Sequence, residues 1–134
     1  MDLGEAVIVA GVGCRKASSA AQVESAIEAA LLYNRLADHQ LKVIAVPAVK
    51  GTEAGIVTAA AARGVPLMLV TQNALEAASS RTLTRSVRSM ATMNVHSVAE
   101  SAALAGAGPN ARLLAPRVAI GPVTCALAES GVLA

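Results

Sequence analysis

Aromatic residues are almost absent from this sequence, which has no Trp, no Phe and a single Tyr, Tyr33. Domains that bind single-stranded nucleic acid stack bases on aromatic side chains, and nucleic-acid-binding domains in general are strongly basic. The formal net charge here is only +2. Composition therefore argues against a nucleic-acid partner. The core is expected to consist of small aliphatic side chains that bring neighbouring elements close together.

Charged residues and long apolar runs are scarce as well. Charged residues make up 15% of the chain and hydrophobic residues 54%, yet no apolar run reaches the roughly 18 residues that cross a bilayer. The amino terminus, MDLGEAVIVAG, lacks the basic region of a signal peptide. We therefore predict no membrane association and a cytoplasmic location. The surplus of Ala and Leu leaves burial against another subunit, and hence a homo-oligomer, open.

Cysteine and histidine are few. Cys14 and Cys125 are far apart in sequence and form no CxxC pair, which is typical of reduced cytosolic thiols. Only His39 and His96 offer imidazole groups. No zinc set can be assigned from these residues, and the sequence predicts neither a metal nor a cofactor.

Short apolar runs bounded by Gly, Pro or polar residues predict the strands. Three of them are rich in Val, Ile or Leu, which is typical of strands buried on both faces of a sheet. Two further strand-like pieces follow, close enough together to permit a hairpin. In chain order, the predicted strands are Ala6–Ala10, Val43–Val46, Leu67–Val70, Arg112–Arg117 and Val123–Ala128.

Helical segments lie between these runs, and two of them open with a capping box, in which a Ser hydroxyl and a Gln or Glu side chain satisfy the first backbone amides. Gly and Pro residues mark where helices stop. The predicted helices run from the box Ser19–Gln22 to near Asp38, over Thr52–Arg63, from Asn73, and from the box Ser97–Glu100 to Gly106 or Gly108.

The alternation of strands and helices predicts the fold class. We expect a single three-layer α/β/α domain over residues 1–134, with a central mixed, mostly parallel sheet of about five strands. One segment departs from this order: Ser79–Asn94, SSRTLTRSVRSMATMN, is polar and weakly periodic. It is predicted to be a long surface excursion, and such loops in compact domains are often functional.

The stretch GVGCRK, which follows the first apolar run, is the first candidate for chemistry. It is predicted to be a glycine turn at a strand end, where ligands of α/β sheets bind. Gly11 and Gly13 would let backbone amides approach an anion, and Arg15 would offer a planar fork to carboxylate or phosphate. The third glycine of the dinucleotide fingerprint and the P-loop pattern are both missing, which argues against a nucleotide. A plain turn with Arg15 in solvent remains the alternative.

Other candidates have equally plain alternatives. Cys14 beside two cations would be a nucleophile if its pKa were lowered, or a small packing residue otherwise. Lys50 at a strand end is a candidate for ligand contact, and Glu53 is stabilised by a helix amino terminus whatever its function. Ser97 and Glu100 are most simply parts of a helix cap, and His96 a loop residue.

Three arginines of the polar segment would share one face if Leu83–Met90 were helical, and they would then gather several carboxylates of one ligand. These are Arg81, Arg85 and Arg88. The alternative is a solvated cationic face without a ligand.

Four segments in this order and spacing resemble a known family: GVGCRK, VKGTEAG, SVAESAAL and LLAPRVAIGPVTCALA, covering Val7 to Ala128. The resemblance is to the CobE / CbiG C-terminal-domain family of cobalamin (vitamin B12) biosynthesis, and the short chain is most like the single-domain CobE members of the aerobic branch. The resemblance implies a three-layer α/β fold and a reduced tetrapyrrole, rich in acetate and propionate carboxylates, as the ligand. The two-domain relatives are hydrolases that open a precorrin lactone and release acetaldehyde.

The family motifs carry over residue by residue. The resemblance implies ligand-binding roles for the matching positions, which are Gly11, Gly13, Cys14, Arg15, Lys50, Glu53 and Ser97. Arg85 is a further ligand-binding candidate because of its place among the arginines of the polar segment, where the family has no firm pattern. Gly55 completes a Lys-x-x-Glu-x-Gly match. His96 departs from the family, which often has proline at that position.

Two functions follow as hypotheses. In the first, the chain binds a precorrin or corrin intermediate as a carrier or chaperone, beside other enzymes of the pathway. In the second, it is a hydrolase, in which Cys14 or a water held by Glu53 or Glu100 attacks a lactone and Arg15 stabilises the oxyanion. The candidate catalytic residues for that alternative are Cys14, Glu53, His96 and Glu100.

Overall fold

The structure, a computed structural model, describes residues 7–131. These residues form a single α/β domain. Its six strands are β1 (Ile8–Cys14), β2 (Leu41–Pro47), β3 (Leu67–Val70), β4 (Arg112–Leu113), β5 (Val118–Ile120) and β6 (Val123–Glu129). Its five helices are α1 (Ala20–Tyr33), α2 (Ala54–Arg63), α3 (Gln72–Ser79), α4 (Val87–Met93) and α5 (Val98–Ala107). Within the described part of the chain, no helix combines the length and apolar character that a membrane crossing requires.

The six strands belong to one mixed sheet, with the order β3-β2-β1-β6-β4 and β5 paired with β6. The pairs β1–β2 and β2–β3 are parallel, whereas β6 runs antiparallel to β1, β4 and β5. The predicted mixed sheet is confirmed, and it is partly rather than mostly parallel, since two of its five strand pairs are parallel and three are antiparallel. The sixth strand arises because residues 112–117 are not one strand: β4 ends at Leu113, and β5 forms a hairpin with β6 through Gly121, whose φ is +57°.

Helices cover both faces of this sheet. On one face, α1 and α2 bury a cluster that includes Val12, Ile27, Ile44 and Ile56. On the other face, α3 and α5 bury smaller clusters built largely from alanine. Because alanine side chains are short, α5 lies close to the strands, as the shortage of aromatic residues predicts.

The first helix begins as predicted. The Ser19 hydroxyl accepts from the Gln22 amide at 3.1 Å, and the Gln22 side chain accepts from the Ser19 amide at 2.9 Å. The predicted end near Asp38 is too late, because α1 stops at Tyr33 and Asp38–Gln40 forms a separate 3-10 turn. Ala6, with which the first predicted strand begins, lies outside the described residues.

The predicted glycine turn after the first strand is wrong, because β1 continues through both glycines to Cys14. A side chain at position 11 would overlap with the carbonyl oxygen of Ala99 and the amide of Ala103, both on α5. Gly11 is thus required by a close crossing of helix and strand. The consequence for function is that Gly11 is covered by α5, and the site begins two residues later.

Candidate functional site

A cleft of about 630 Å³ lies where β1 and β2 end, at the edge of the sheet where their carboxyl ends meet. This volume is within the range of small-molecule sites. The end of β1, the residues after β2, helix α4, the start of α5 and the β5–β6 hairpin all contribute to it. Its lining residues are Gly13, Cys14, Arg15, Lys16, Pro47, Lys50, Ser86, Arg88, Ser89, Thr92, Met93, Val98, Arg117, Gly121 and Thr124.

The charges of this cleft all have one sign. Five of the lining residues carry a positive charge and none carries a carboxylate: Arg15, Lys16, Lys50, Arg88 and Arg117. We call this set the cation ring. A cleft lined by one sign of charge raises the local concentration of the opposite sign. The five cations therefore favour a ligand with several negative groups.

The loop that follows β1 fixes the first two members of the cation ring. The Arg15 amide donates to the Pro122 carbonyl at 3.1 Å, and the Ser18 hydroxyl donates to the Arg15 carbonyl at 2.7 Å. Between them, Ala17 has a left-handed backbone, with φ +64°. Its amide donates to Glu53 Oε1 at 3.0 Å. Glu53 thus ties this loop to the start of α2 and is not among the residues that line the cleft.

The residues of the segment Lys50–Gly55 have different roles. Lys50 ends a 3-10 turn after β2 and lines the cleft. Glu53 precedes α2 and holds the Ala17 amide. Gly55 is buried, and any side chain there would overlap with the Ser18 carbonyl oxygen. Of these residues, Lys50 faces the cleft, while Glu53 and Gly55 dock α2 against the loop that carries Arg15.

Cys14 lines the cleft, and its thiol is partly buried. Burial raises the pKa of the Cys14 thiol, and Glu53 adds to this, while Lys50 and a hydrogen bond from Ser18 lower it. The net pKa lies above its ordinary value. The lowered pKa that the neighbouring cations suggested is therefore wrong, because burial outweighs them. Cys125 is fully buried, which raises its pKa to about 12.

The polar segment 79–94 is not only a surface loop, because it contains helix α4. Its helix α4 begins only at Val87, so Arg81, Arg85 and Arg88 do not share a helical face. Arg88 lies on α4 and lines the cleft. Arg81 donates to the carbonyls of Pro109 and Ala111, at 3.5 and 3.3 Å. Arg85 is exposed and is not among the lining residues.

The second predicted capping box is only half formed. The Ser97 hydroxyl accepts from the Glu100 amide at 3.3 Å, but the Glu100 side chain does not return to Ser97. It accepts instead from Leu83, Thr84 and Arg117. Both Ser97 and Glu100 are fully buried, so neither side chain can touch a ligand in the cleft.

His96 is also outside the cleft. Its amide donates to the Ser79 hydroxyl at 2.9 Å, and its carbonyl accepts from the Ser86 amide at 3.0 Å. These backbone contacts anchor the loop before α5 to two points of the polar segment, its first residue and the residue before α4. The imidazole is half-buried and does not line the cleft.

The sequence alone did not single out Lys16, Arg117 or Thr124 as site residues, yet all three line the cleft. Lys16 had a signal, since it follows Arg15 directly. Arg117 is the last residue of a predicted strand, and the sequence does not show in which direction its side chain points. In the structure, Arg117 directly precedes β5, the three-residue strand that forms a hairpin with β6. A strand this short is difficult to recognise from sequence.

Comparison with known proteins gives matches over nearly the whole chain. Residues 8–128 match the family model described as "Cobalamin synthesis G C-terminus". The sequence is 34% identical to "Protein CobE" of Sinorhizobium sp over 126 residues, which are 94% of this chain and 82% of that protein.

Two solved structures are similar as well. One is the 1.7 Å crystal structure of CobE, a protein from the cobalamin (vitamin B12) biosynthetic pathway, with TM-score 0.91, 27% identity and coverage of 100% of this chain and 98% of the other. The other is the cobalamin biosynthesis protein chiG from Agrobacterium tumefaciens str. C58, with TM-score 0.74 and 38% identity, covering 93% of this chain and 99% of that one.

Proposed function

Because this chain belongs to the CobE / CbiG C-terminal family of cobalamin-synthesis proteins, we propose that it binds a carboxylate-rich precorrin or corrin intermediate in the cleft at the ends of β1 and β2. It acts there as a carrier or chaperone that holds the intermediate beside other enzymes of the pathway. Its place of action is the cytoplasm, a proposal that both free cysteines support.

The observation that carries this proposal is the cation ring with no carboxylate among the lining residues. Corrin-ring acids carry many acetate and propionate groups around a flat ring. Arg guanidinium groups bind such carboxylates through paired hydrogen bonds, and Lys ammonium groups act as point charges. A ligand of this kind would neutralise five cations at once, whereas a ligand with one anionic group would leave most of them unmatched.

The apolar side chains of the cleft suit the ring itself. Pro47, Met93 and Val98 line the cleft together with the cations. Apolar side chains and a polarisable thioether pack against flat apolar surfaces without requiring aromatic stacking. A chain without Trp or Phe can therefore still offer a surface to a tetrapyrrole.

The lactone-hydrolase alternative receives no specific support from the described residues. Of the four candidate catalytic residues, only Cys14 lines the cleft, and burial raises the pKa of its thiol above the ordinary value, away from an activated thiolate. Glu100 is fully buried, and Glu53 is engaged by the Ala17 amide. We therefore propose binding without a chemical step on the ligand.

Gel filtration tests this proposal directly. The purified chain is mixed with hydrogenobyrinic acid, a metal-free corrin-ring acid, and the pigment is followed by its absorbance. We expect pigment to elute with the protein and to keep its original spectrum and mass after release. Pigment that elutes with a changed mass would favour an enzyme. If no corrin-ring acid co-elutes with the protein, not even a lactone-bearing one, the proposal is contradicted.

A further inference from the structure

Glu100 is a buried carboxylate without a cationic partner. Its side chain is fully buried on α5, and no basic side chain lies within ion-pair distance of it among the described residues. An isolated charge in such a place would be very costly. What compensates it is a set of hydrogen-bond donors from two other segments of the chain.

Four donors surround the carboxylate. Oε1 accepts from the Leu83 amide at 2.6 Å and from the Thr84 amide at 2.9 Å. Oε2 accepts from the Thr84 hydroxyl at 2.5 Å and from the Arg117 amide at 2.9 Å. Three of the four are backbone amides, so the contact fixes the course of the main chain as well as the side chains.

The two segments held in this way carry members of the cation ring. Arg117 is itself one of the donors, through its backbone. Thr84 is two residues before Ser86, whose hydroxyl caps α4 by accepting from the Ser89 amide at 3.1 Å. Helix α4 in turn presents Arg88. Glu100 therefore joins the wall of the cleft that bears Arg88 to the wall that bears Arg117.

The carboxylate is ionised at neutral pH. Burial raises the pKa of Glu100, but hydrogen bonds from the Thr84 hydroxyl and from the amides of Arg117, Thr84 and Leu83 lower it further than burial raises it. Bonds from neutral amides to a charged oxygen are stronger than bonds between neutral groups. The carboxylate is thus a stronger tie than an amide side chain of the same shape would be.

We propose that Glu100 is a positioning residue, which sets the spacing of Arg88 and Arg117 across the cleft and so matches the cation ring to the carboxylates of one ligand. This proposal rests on the proposed function. Glu100 itself does not touch the ligand, because its side chain is fully buried. Its effect on binding passes through the two segments that it holds.

Glu100→Gln keeps the shape of the side chain but replaces one acceptor oxygen by an NH₂ group. That group cannot accept a hydrogen bond, and all four partners at this place donate one. Affinity for hydrogenobyrinic acid should fall about tenfold, the loss expected when one charge-assisted contact is misplaced. The dependence of affinity on NaCl concentration should become shallower at the same time, because fewer cations engage the ligand. A role in stability alone would lower the unfolding midpoint and leave both binding quantities unchanged.

A double-mutant cycle separates positioning from a general effect. If Glu100 acts through Arg117, Glu100→Gln should weaken binding much less in an Arg117→Ala background than in the wild type. Arg15→Ala is the matched control, because the Arg15 amide is held by the Pro122 carbonyl and not by Glu100. In that background, the effect of Glu100→Gln should be unchanged. Equal effects in the wild-type, Arg117→Ala and Arg15→Ala backgrounds would overturn the proposal.

Amide hydrogen exchange provides a readout that needs no ligand. In Glu100→Gln, the amides of Leu83, Thr84 and Arg117 should exchange faster, while the amides of β1 keep their wild-type rates. Unchanged exchange at Arg117 would overturn the proposal even if hydrogenobyrinic acid binds. If hydrogenobyrinic acid fails to bind the wild type, the proposed function fails, and the exchange rates still decide whether Glu100 holds both walls.

Thr84→Val serves as the second variant in case Glu100→Gln does not fold. It removes one donor to Oε2 and leaves the three backbone amides in place. We expect a smaller loss of affinity in the same direction, and again less loss in the Arg117→Ala background. A wild-type affinity in Thr84→Val, together with wild-type exchange at Arg117, would contradict the proposal.

Discussion

At the scale of single residues, Gly11 decides how closely a helix can approach the sheet. The residue lies in the middle of β1, and α5 crosses it so closely that no side chain fits between them. Its role is steric, since its φ is not positive. The neighbouring Gly13 has a related role, because a side chain there would lie 2.8 Å from the Thr124 hydroxyl oxygen.

Gly11→Ala should lower the free energy of unfolding by about 3 kcal/mol, at the upper end of the range for overpacked cores, because the added methyl must displace α5. Gly64→Ala is the control. Gly64 has φ +67° at the end of α2, with open space around it, so only backbone strain of about 1 kcal/mol is expected. Urea unfolding measures both. Equal losses for the two variants would show that α5 does not press on Gly11.

The sequence motif GVGC predicts a turn, and this is wrong, because the motif is the end of strand β1. Glycine is a poor strand former, and its partner α5 lies far along the chain, so no local pattern shows that a helix will cross there. The Glu100 contact was missed for a similar reason. The motif Ser97-Val-Ala-Glu100 fits a capping box. In the structure, however, the Glu100 carboxylate accepts hydrogen bonds from two other segments of the chain instead of from the Ser97 amide.

The thiol of Cys14 should react slowly. Since burial raises its pKa above the ordinary value, the thiolate fraction at pH 7 is smaller than that of a free cysteine. Alkylation by iodoacetamide should be slower than that of glutathione at pH 7 and should accelerate as the pH rises. Lys50→Met should slow it further, because Lys50 lowers this pKa. If Cys14 reacts faster than glutathione at pH 7, its pKa is not raised, and the prediction of a slow thiol is contradicted. That result would favour a nucleophilic role for Cys14.

At the scale of elements, the loop between β1 and α1 combines strain with fixed contacts. Ala17 adopts a left-handed conformation that costs a non-glycine residue roughly 1 kcal/mol or more. The Glu53 carboxylate holds its amide in place at 3.0 Å. The sequence predicts the capping box that Ser19 begins. It does not predict the left-handed backbone of Ala17, because alanine has no preference for that conformation.

Ala17→Gly should therefore leave stability unchanged or raise it by up to about 1 kcal/mol, since relief of strain offsets the larger entropy of the unfolded chain. Ala29→Gly in the interior of α1 is the matched control. The same chemical change there should cost about 1 kcal/mol, because the helix loses a good helix former. Thermal unfolding compares the two variants. A loss at Ala17 as large as that at Ala29 would mean that position 17 is not strained.

At the scale of the whole molecule, a small net charge conceals a polarised distribution. The carboxyl ends of β1 and β2 carry the cation ring without an acid among the lining residues. A cluster at the amino ends of β2 and β3 instead joins Arg63 to Glu24, Glu28 and Asp38, at 2.5, 3.6 and 3.4 Å. The formal charge of +2 predicts that the chain has no nucleic-acid partner. It does not reveal a local site, because composition carries no information on which charges the fold brings together.

A titration of hydrogenobyrinic acid into the wild type, Arg15→Ala and Arg35→Ala, each at low and high NaCl, tests the central claim most directly. Arg35 follows α1 and does not line the cleft, so its variant removes the same charge elsewhere. We expect Arg15→Ala to bind about tenfold more weakly than the wild type, Arg35→Ala to bind like the wild type, and added salt to weaken all three. Equal affinities of Arg15→Ala and the wild type, or no binding by the wild type, would contradict the claim that the cation ring binds the carboxylates of a corrin intermediate.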